Sequence, residues 1–445
     1  MYNLALNIDA KKAFLVNRSE LIERLDPVFY KEVLDFSSCI KLSKIARVSG
    51  GKRLPLGFDY SLEKTNFRYL RVGDINWDGT LNYFDFKFIS SELFHILKHY
   101  KISKNEILLA IVGATIGKCS IIQAPYDDEI ILTENCAKIK IISNEILPDF
   151  LLFLLQSEFV QNQIKLNYIQ TTIPKLGLDR VLSLYIPKPP AIEIQERCLK
   201  LLNSSFAEKA KKESEAKKLI DRINSYLLDE LGIELPTKDN TYSKRIFEVK
   251  WSDISGDRFD AFSFFNSAIK IEGGIYANKK LRELATVNKG RSITSSNVIE
   301  GQYPVIAGGK TSPYSHNIYN YDGKTITVSA SGAYSGYVWY HNEPIFASDC
   351  VVIKTKEENI ITMDYLSEIL KLKQSEIYGL QQGAGQPHVY PSDLVKLNIP
   401  VPPIDIQERI TTNIFELRKK AKQLETEAKE VLVNAKKEID KKITE

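Results

Sequence analysis

Two stretches of the chain place apolar residues at alternating spacings of four and three. The second stretch keeps this rhythm without interruption at Ile410, Ile414, Leu417, Ala421, Leu424, Ala428, Val431, Ala435 and Ile439. The first follows it at Leu199, Leu202, Phe206, Ala216, Ile220, Ile223 and Leu227, with polar Lys209 and Glu213 between the two groups. The pattern predicts two long helices with coiled-coil seams. At 1.5 Å per residue, about 40 residues would form a rod of about 60 Å.

A proline motif precedes each predicted helix. Residues 186–197 (IPKPPAIEIQER) recur as residues 399–409 (IPVPPIDIQER), one residue shorter. The prolines exclude helix before them, and the charged, proline-free stretch that follows favours it. Since a repeat determines the architecture of a chain, this match indicates two copies of one structural block.

Other segments repeat in the same order. Residues 107–118 and 325–337 both read as a strand, a glycine turn and a strand. The remaining matched pairs are 24–29 with 258–262, 42–46 with 281–285, 133–136 with 347–350, and 150–155 with 365–370. Similarity between the halves is low elsewhere, as expected of a shared scaffold that carries two different surfaces.

We therefore predict two pseudo-repeated α/β (α+β) globular domains separated by two long helices. The predicted boundaries are 1–185 for the first domain, 186–235 for the first helix, 236–398 for the second domain and 399–445 for the second helix. We predict that the two helices pair as an antiparallel coiled coil within one chain, which would give the molecule an approximate two-fold arrangement. Parallel pairing and a role in oligomerisation are the alternatives, because heptad helices often join separate chains.

Composition restricts the class of protein. With 44% hydrophobic and 26% charged residues among 445, the chain has the profile of a folded protein. The first residues carry frequent charges and no window approaches 18 uncharged apolar residues, so we expect a cytoplasmic protein. The five cysteines never form a C-x-x-C pair, which predicts free, mostly buried thiols. The net charge of +4 is too small to indicate nucleic acid by itself.

Three features occur in the same order in each half: an R-x-D near its start, glycine turns in its middle, and the I-P-x-P-P-x-x-x-Q motif before a long helix. In this combination the chain resembles the specificity subunits of type I restriction-modification systems. The resemblance covers nearly the whole chain. It implies that each domain reads one part of a split DNA target and that the helices set the spacer between the parts.

The resemblance also implies partners. Two modification subunits would use S-adenosylmethionine to methylate adenine, and restriction subunits would add ATP- and Mg-dependent cleavage. This chain has no N-P-P-Y, F-x-G-x-G or G-x-x-x-x-G-K-[ST] motif, so we expect no catalytic residue, cofactor or metal in it. The rival interpretations are a coiled-coil scaffold without sequence preference and a DNA methyltransferase with unrecognised motifs.

DNA readout requires donors for phosphates and side chains that discriminate base edges. The candidates in the first half are Lys52, Arg53, Arg68, Arg71, Lys118, Gln170, Thr171, Thr172 and Lys175. Those in the second half are Lys289, Arg291, Lys310, Tyr314, His316, Ser331, Tyr334, Gln381, Gln382, Gln386 and His388. Several of them occupy equivalent places in the repeat, which supports them as a group.

The repeated proline motif also supplies candidates for partner contact. If the modification subunits meet both halves in similar ways, the shared residues Gln195, Arg197, Gln407 and Arg409 would touch them. The alternative is that these side chains hold their own helices, in which case substitution would lower stability instead of assembly.

Overall fold

The computed structural model describes residues 15–16, 18, 21, 36–123, 128–167, 173–235, 248, 271–312, 314–383 and 385–444. The two R-x-D segments and the candidates Gln170, Thr171 and Thr172 lie outside these ranges. Residues 1–208 with 430–445 form one compact unit, and residues 209–429 form a second. None of the helices described is both long and apolar enough to span a membrane. The predicted domain boundaries stay predictions.

The first unit contains nine described strands and four short helices before the first long helix. The strands are β1 (Cys39–Lys41), β2 (Ala46–Gly50), β3 (Phe67–Leu70), β4 (Lys87–Phe88), β5 (Ile107–Ala110), β6 (Cys119–Ile121), β7 (Glu129–Leu132), β8 (Cys136–Ile141) and β9 (Tyr185–Pro187). The helices are α1 (Ser91–Leu97), α2 (Pro148–Leu155), α3 (Glu158–Asn167), α4 (Leu178–Leu182) and the long α5 (Ile192–Leu231), whose residues from 209 onward belong to the second unit.

The second unit repeats this series of strands among its described residues, with no counterpart of α1 between its fourth and fifth strands. Its strands are β10 (Asn278–Lys280), β11 (Ala285–Lys289), β12 (Tyr303–Ile306), β13 (Ser315–His316), β14 (Thr325–Ser329), β15 (Val338–His341), β16 (Phe346–Ala347), β17 (Cys350–Thr355) and β18 (Asn398–Pro400). Its helices are α6 (Leu281–Leu284), α7 (Met363–Leu372), α8 (Gln374–Tyr378), α9 (Pro391–Leu394) and the long α10 (Ile404–Thr444), whose residues from 430 onward belong to the first unit.

The sheets of the two units have the same topology. A four-stranded sheet of order β2-β8-β5-β6 corresponds to β11-β17-β14-β15. A three-stranded sheet of order β4-β3-β7 corresponds to β13-β12-β16, and the pair β1-β9 corresponds to β10-β18. The predicted α/β (α+β) repeat is therefore confirmed strand by strand.

Each four-stranded sheet contains one strand that is buried along its whole length. All residues of β5 and all residues of β14 are buried, so these strands are covered on both faces. In the first unit the cover includes Phe150, Leu151 and Leu154 of α2, and in the second Leu366 and Ile369 of α7. The apolar runs matched in the sequence thus form the helical side of each core.

The five cysteines are free, and Cys119, Cys136, Cys198 and Cys350 are buried. Burial raises the pKa of Cys119, Cys136 and Cys350 to about 12, so these three thiols stay protonated at neutral pH. The prediction of free, mostly buried thiols is confirmed.

The two long helices pair in the antiparallel sense. In the second unit Lys212 bonds Glu427 at 2.8 Å and Arg409 bonds Glu230 at 2.7 Å. As the residue numbers rise along α5, the numbers of the facing residues on α10 therefore fall. Within the first unit Ile439 of α10 joins the same apolar cluster as Cys198 and Leu202 of α5. The predicted antiparallel coiled coil is confirmed.

A buried glutamine attaches each long helix to its domain. In the first unit Gln195 accepts from the Leu147 amide at 2.9 Å and donates to the carbonyl oxygens of Glu145 and Pro190, both at 2.7 Å. Its side chain thus satisfies backbone groups of the loop before α2 and of the proline motif.

Gln407 makes the same three bonds in the second unit. It accepts from the Thr362 amide and donates to the carbonyl oxygens of Ile360 and Pro402, each at 2.9 Å. Both Gln195 and Gln407 have 0% exposure, so neither side chain is available to a partner protein. For these two residues the structure favours the alternative that they hold their own helices.

One contact between domain and helix differs in chemistry between the units. In the second unit Arg418 of α10 donates to both carboxylate oxygens of Glu368 of α7, each at 2.6 Å. The residues at the matching repeat positions of the first unit are Phe206 and Phe153, which belong to one apolar cluster. An ion pair in the second unit therefore occupies the positions that two aromatic residues of one apolar cluster occupy in the first.

We expect Gln407→Ala to lower the free energy of unfolding by about 3 kcal/mol, because the buried Thr362 amide and two carbonyl groups lose their partner. Urea denaturation followed by circular dichroism measures the effect. Exposed Glu408→Ala, one residue along the helix, is the matched control and should change little. Unchanged unfolding together with lost binding to a partner subunit would restore the partner-contact interpretation.

The Glu368–Arg418 ion pair predicts a pH dependence. Burial by itself would raise the pKa of the Glu368 carboxyl, but hydrogen bonds and charge from Arg418 and Lys371 outweigh burial and lower it. Since the folded-state pKa lies below the unfolded one, the stabilisation is present above the ordinary carboxyl range and is lost as pH falls below about 4.

Melting temperatures measured between pH 7 and pH 3 test this dependence. Glu368→Gln should melt lower at pH 7 and show a shallower fall with pH than the wild type. Exposed Glu343→Gln is the control and should keep the wild-type profile. Identical pH profiles for the wild type and Glu368→Gln would contradict the assignment.

Candidate nucleic-acid interface

Most of the predicted DNA-contact residues lie at one edge of each four-stranded sheet. Because neighbouring strands are antiparallel, β2 and β5 end where β8 and β6 begin. We call the loops at this end the first loop edge, comprising residues 51–53, 71–77, 111–118, 133–135 and 174–175. The second loop edge comprises the equivalent residues 290–291, 307–312, 330–337, 347–349, 382–383 and 385–388.

On each edge, a close approach between two backbone segments positions an exposed cation. A Cβ on Gly51 would lie 2.0 Å from the carbonyl oxygen of Thr133, and one on Gly290 would lie 2.3 Å from that of Ser348. Only glycine fits either position. The following residues, Lys52 and Arg291, each donate a backbone N–H across this approach at 2.9 Å and have exposed side chains. They are therefore equivalent cations of the two edges.

Arg53 and Glu134 form an ion pair on the first loop edge. Arg53 Nε lies 2.7 Å from Glu134 Oε1, and the arginine side chain is 80% exposed. Burial alone would raise the pKa of Glu134, but bonds from Arg53, Thr133 and the backbone lower it below its usual range. Glu134 is thus an ionised acceptor beside an exposed cation.

The carboxylates of the two edges were missed from the sequence. Glu134 lies in the segment before β8, and Asp349, which accepts from the Ser331 hydroxyl, lies in the segment before β17. Carboxylates at such an edge can accept hydrogen bonds from base amino groups. The available signal was the repeated match of residues 133–136 with 347–350, which places an acid on both edges.

A segment that precedes α4 in the first unit and α9 in the second completes each edge. In the first unit the Gly113 amide donates to the Pro174 carbonyl at 2.9 Å, which brings exposed Lys175 beside Val112. In the second unit the Gly332 amide donates to the Pro387 carbonyl at 3.0 Å, which brings His388 beside Ser331. Lys175 and His388 are therefore equivalent, as their places in the sequence repeat predict.

A cation lies beside an aromatic ring on each edge. Lys118 Nζ donates to the Ile75 carbonyl at 3.1 Å and lies 5.7 Å from the centre of the Trp77 ring. Lys310 Nζ lies 4.7 Å from the centre of the Tyr334 ring. Trp77 was missed from the sequence, where a single tryptophan in a loop gives no sign of its neighbours.

Two predicted residues lie inside the domains. Arg68 has a side chain only 13% exposed, with Nε 2.5 Å from Asp128 and the guanidinium 4.4 Å from the centre of the Tyr83 ring. His316 is 5% exposed, and its Nδ1 lies 3.1 Å from the Ile299 amide nitrogen. Neither position offers the side chain to a large ligand in this structure.

The other predicted residues differ in how their side chains are used. Arg71 pairs with Asp74 at 2.8 Å. The side-chain amide of Gln381 donates to the Ser335 carbonyl and that of Gln382 to Asp393, each at 2.7 Å. The exposed ones are Lys289, Tyr314 and Gln386. All of these residues remain predicted DNA contacts.

Among the described residues, no group of three or more His, Cys, Asp or Glu side chains could hold a metal ion.

Three curated relatives align with part of the chain. A putative type I specificity subunit of Mycoplasma pneumoniae, S.MpnORF285P, is 26% identical over 146 residues, 32% of this chain and 47% of that protein. The MpnII specificity subunit of the same organism is 28% identical over 146 residues, 32% of this chain and 43% of that protein. The EcoBI specificity subunit of Escherichia coli is 28% identical over 162 residues, 36% of this chain and 33% of that protein. The chain thus aligns with less than half of each of these relatives.

A solved structure shares the fold. A chain from a study of complex assembly and conformational transition of the type I restriction-modification system superimposes on 91% of this chain and 96% of its own length. The TM-score is 0.57 at 16% identity.

The family model described as the type I restriction modification DNA specificity domain matches residues 39–222 and 276–434. The two matched segments coincide with the two halves of the repeat and together exceed half of the chain. The resemblance inferred from the proline motif is thereby confirmed. The chain belongs to the family of the type I restriction-modification DNA specificity domain.

Proposed function

We propose that this chain is the sequence-specific DNA-binding subunit of a type I restriction-modification complex, with one half-site of a bipartite target read by each loop edge. The observation that carries the proposal is the pair of loop edges, built on the same strands but with different side chains. A scaffold without sequence preference has no need for two dissimilar polar edges on one backbone frame.

The composition of the edges suits double-stranded DNA. Exposed Lys52, Lys175 and Arg291 of the edges, with exposed Lys289 at the end of β11, supply the phosphate contacts that set register and orientation. Glu134, Asp349 and Gln386 lie beside them and have the acceptors and donors that distinguish base edges in the major groove. Discrimination would then come from the residues in which the two edges differ.

In this proposal the length of the long helices would set the gap between half-sites, as the resemblance implies. A helix advances 1.5 Å per residue, so a change of one turn, about 5 Å, approaches two base pairs of DNA.

The chemistry would belong to partners. Two modification subunits would use S-adenosylmethionine to methylate adenine, and restriction subunits would use ATP and Mg for translocation and cleavage. This chain would be non-catalytic and cytoplasmic, where it meets the genome. Arg197 and Arg409, which are exposed and occupy equivalent places on α5 and α10, remain our proposed contacts with the modification subunits.

Single-molecule sequencing of methylated adenines, with and without the gene, tests the proposed function. The expected result is the loss of one split motif with a constant internal gap when the gene is deleted, because target choice resides in this subunit. The restored gene should return the same motif. An unchanged methylation pattern in a strain whose modification subunits are expressed would contradict the proposal.

Substitution of single cations tests the two edges separately. Lys52→Ala and Arg291→Ala should each weaken binding to the target and reduce the slope of log affinity against log salt by about one, because each would remove one phosphate contact. Fluorescence anisotropy at several salt concentrations measures both quantities. Exposed Lys140→Ala, at the opposite end of the first sheet, is the control and should leave the slope unchanged. Equal slopes for all three variants and the wild type would rule out the loop edges as the DNA surface.

A further inference from the structure

Each loop edge contains an aromatic ring and a cation, which come from two segments that are equivalent in the two units. The segment that supplies the ring on one edge supplies the cation on the other. On the first edge the ring of Trp77 comes from the segment between β3 and β4, and the cation Lys118 ends the turn after β5. On the second edge the cation Lys310 comes from the segment between β12 and β13, and the rings of Tyr334 and Tyr337 lie in the turn after β14.

The backbone of the two turns is the same. The turns begin at Gly113 and Gly332, with φ of 80° and 83°, and both have a second left-handed glycine four residues later. The carbonyl oxygens of Lys118 and Tyr337 each accept from a strand amide, at 2.8 Å and 3.0 Å. Lys118 and Tyr337 therefore occupy one position of the repeat, and a cation in one half stands where an aromatic residue stands in the other.

The rings are held at the surface. Trp77 is 60% exposed and Tyr334 is 46% exposed. Trp77 lies at the tip of a tight turn closed by the bond from the Asn76 amide to the Thr80 carbonyl at 3.0 Å. The Ser120 hydroxyl, on β6, donates to the Gly79 carbonyl and fixes this turn against the sheet.

A purely structural role explains this arrangement poorly. A ring that served packing would be buried, since burial is the source of its stabilisation. What the two edges have in common is an exposed ring with an ammonium group beside it. That combination matches a nucleotide, which offers a base to the ring and a phosphate to the cation.

We propose that Trp77 and Tyr334 each insert at a base step of their own half-site and stack on a base, while Lys118 and Lys310 bind the adjacent phosphate. This inference rests on the proposed function and deepens it, because it assigns one specificity-determining aromatic contact to each half-site. Insertion requires a step that unstacks easily, so the ring would also contribute to the choice of sequence.

Tryptophan fluorescence tests the first half-site. The complete chain is titrated with two synthetic duplexes, one carrying the split motif from the methylation map and one of the same composition in scrambled order. Stacking of Trp77 on a base should quench its emission at saturation. Trp77→Phe should keep most of the affinity, because it keeps a ring, but should lose the quenching that DNA induces.

Affinity measurements test both halves. Trp77→Ala and Tyr334→Ala should each weaken binding to the target by about tenfold to a hundredfold, the range found when a stacked base loses its aromatic partner. Tyr334→Phe should bind nearly as the wild type. The control is Tyr319→Ala, which removes an exposed ring at the opposite end of β12 and should change neither affinity nor quenching.

Two failures are distinguishable. If Trp77→Phe retains the full quenching and both alanine variants bind as tightly as the wild type, the stacking inference is wrong. If the wild type binds the scrambled duplex as tightly as the target, the proposed function fails, and quenching on either duplex still reports whether Trp77 stacks on DNA.

Discussion

The attachment of each domain to its long helix depends on one buried amide side chain. Gln195 and Gln407 each satisfy one amide and two carbonyl groups at the point where the proline motif ends and the helix begins. Prolines cannot supply backbone donors there, and buried polar groups without partners cost considerable free energy. The glutamine side chain therefore satisfies the backbone groups of the junction. Under the proposed function, a junction held in this way would keep each loop edge in place on its own helix.

The two units show how a repeat can hold its backbone and change its chemistry. Glycines at positions 51 and 290 keep the same close approach, because a side chain of any size would collide with a carbonyl oxygen. At positions without such a backbone constraint the side chains diverge. Phe153 and Phe206 correspond to Glu368 and Arg418, and Lys118 corresponds to Tyr337. Backbone hydrogen bonds define the frame in both cases, and they leave the exposed side chains free to differ between the two loop edges.

Two of the predicted DNA-contact residues lie inside the protein, and the local sequence around them does not reveal this burial. Arg68 and His316 looked like exposed donors in the sequence, but each lies next to partners that are not its neighbours in the sequence. Arg68 meets Asp128 and the Tyr83 ring, and His316 meets the backbone of Ile299. An ion pair with a partner 60 residues away has no local pattern, so the sequence offered no means to separate Arg68 from Lys52 or Lys175.

The sequence by itself determined the repeat, the two long helices with their seam, and the family, because heptad spacing, proline positions and matched segments are local and periodic features. It also indicated most of the loops that form the two edges, since glycine turns mark the ends of strands. Only the tertiary structure decided which of those loops share an edge, that the helices pair antiparallel, and that Gln195 and Gln407 are buried. It alone brought Trp77 to Lys118 and Lys310 to Tyr334, because strand order and register join segments distant in the chain, and no single segment encodes them.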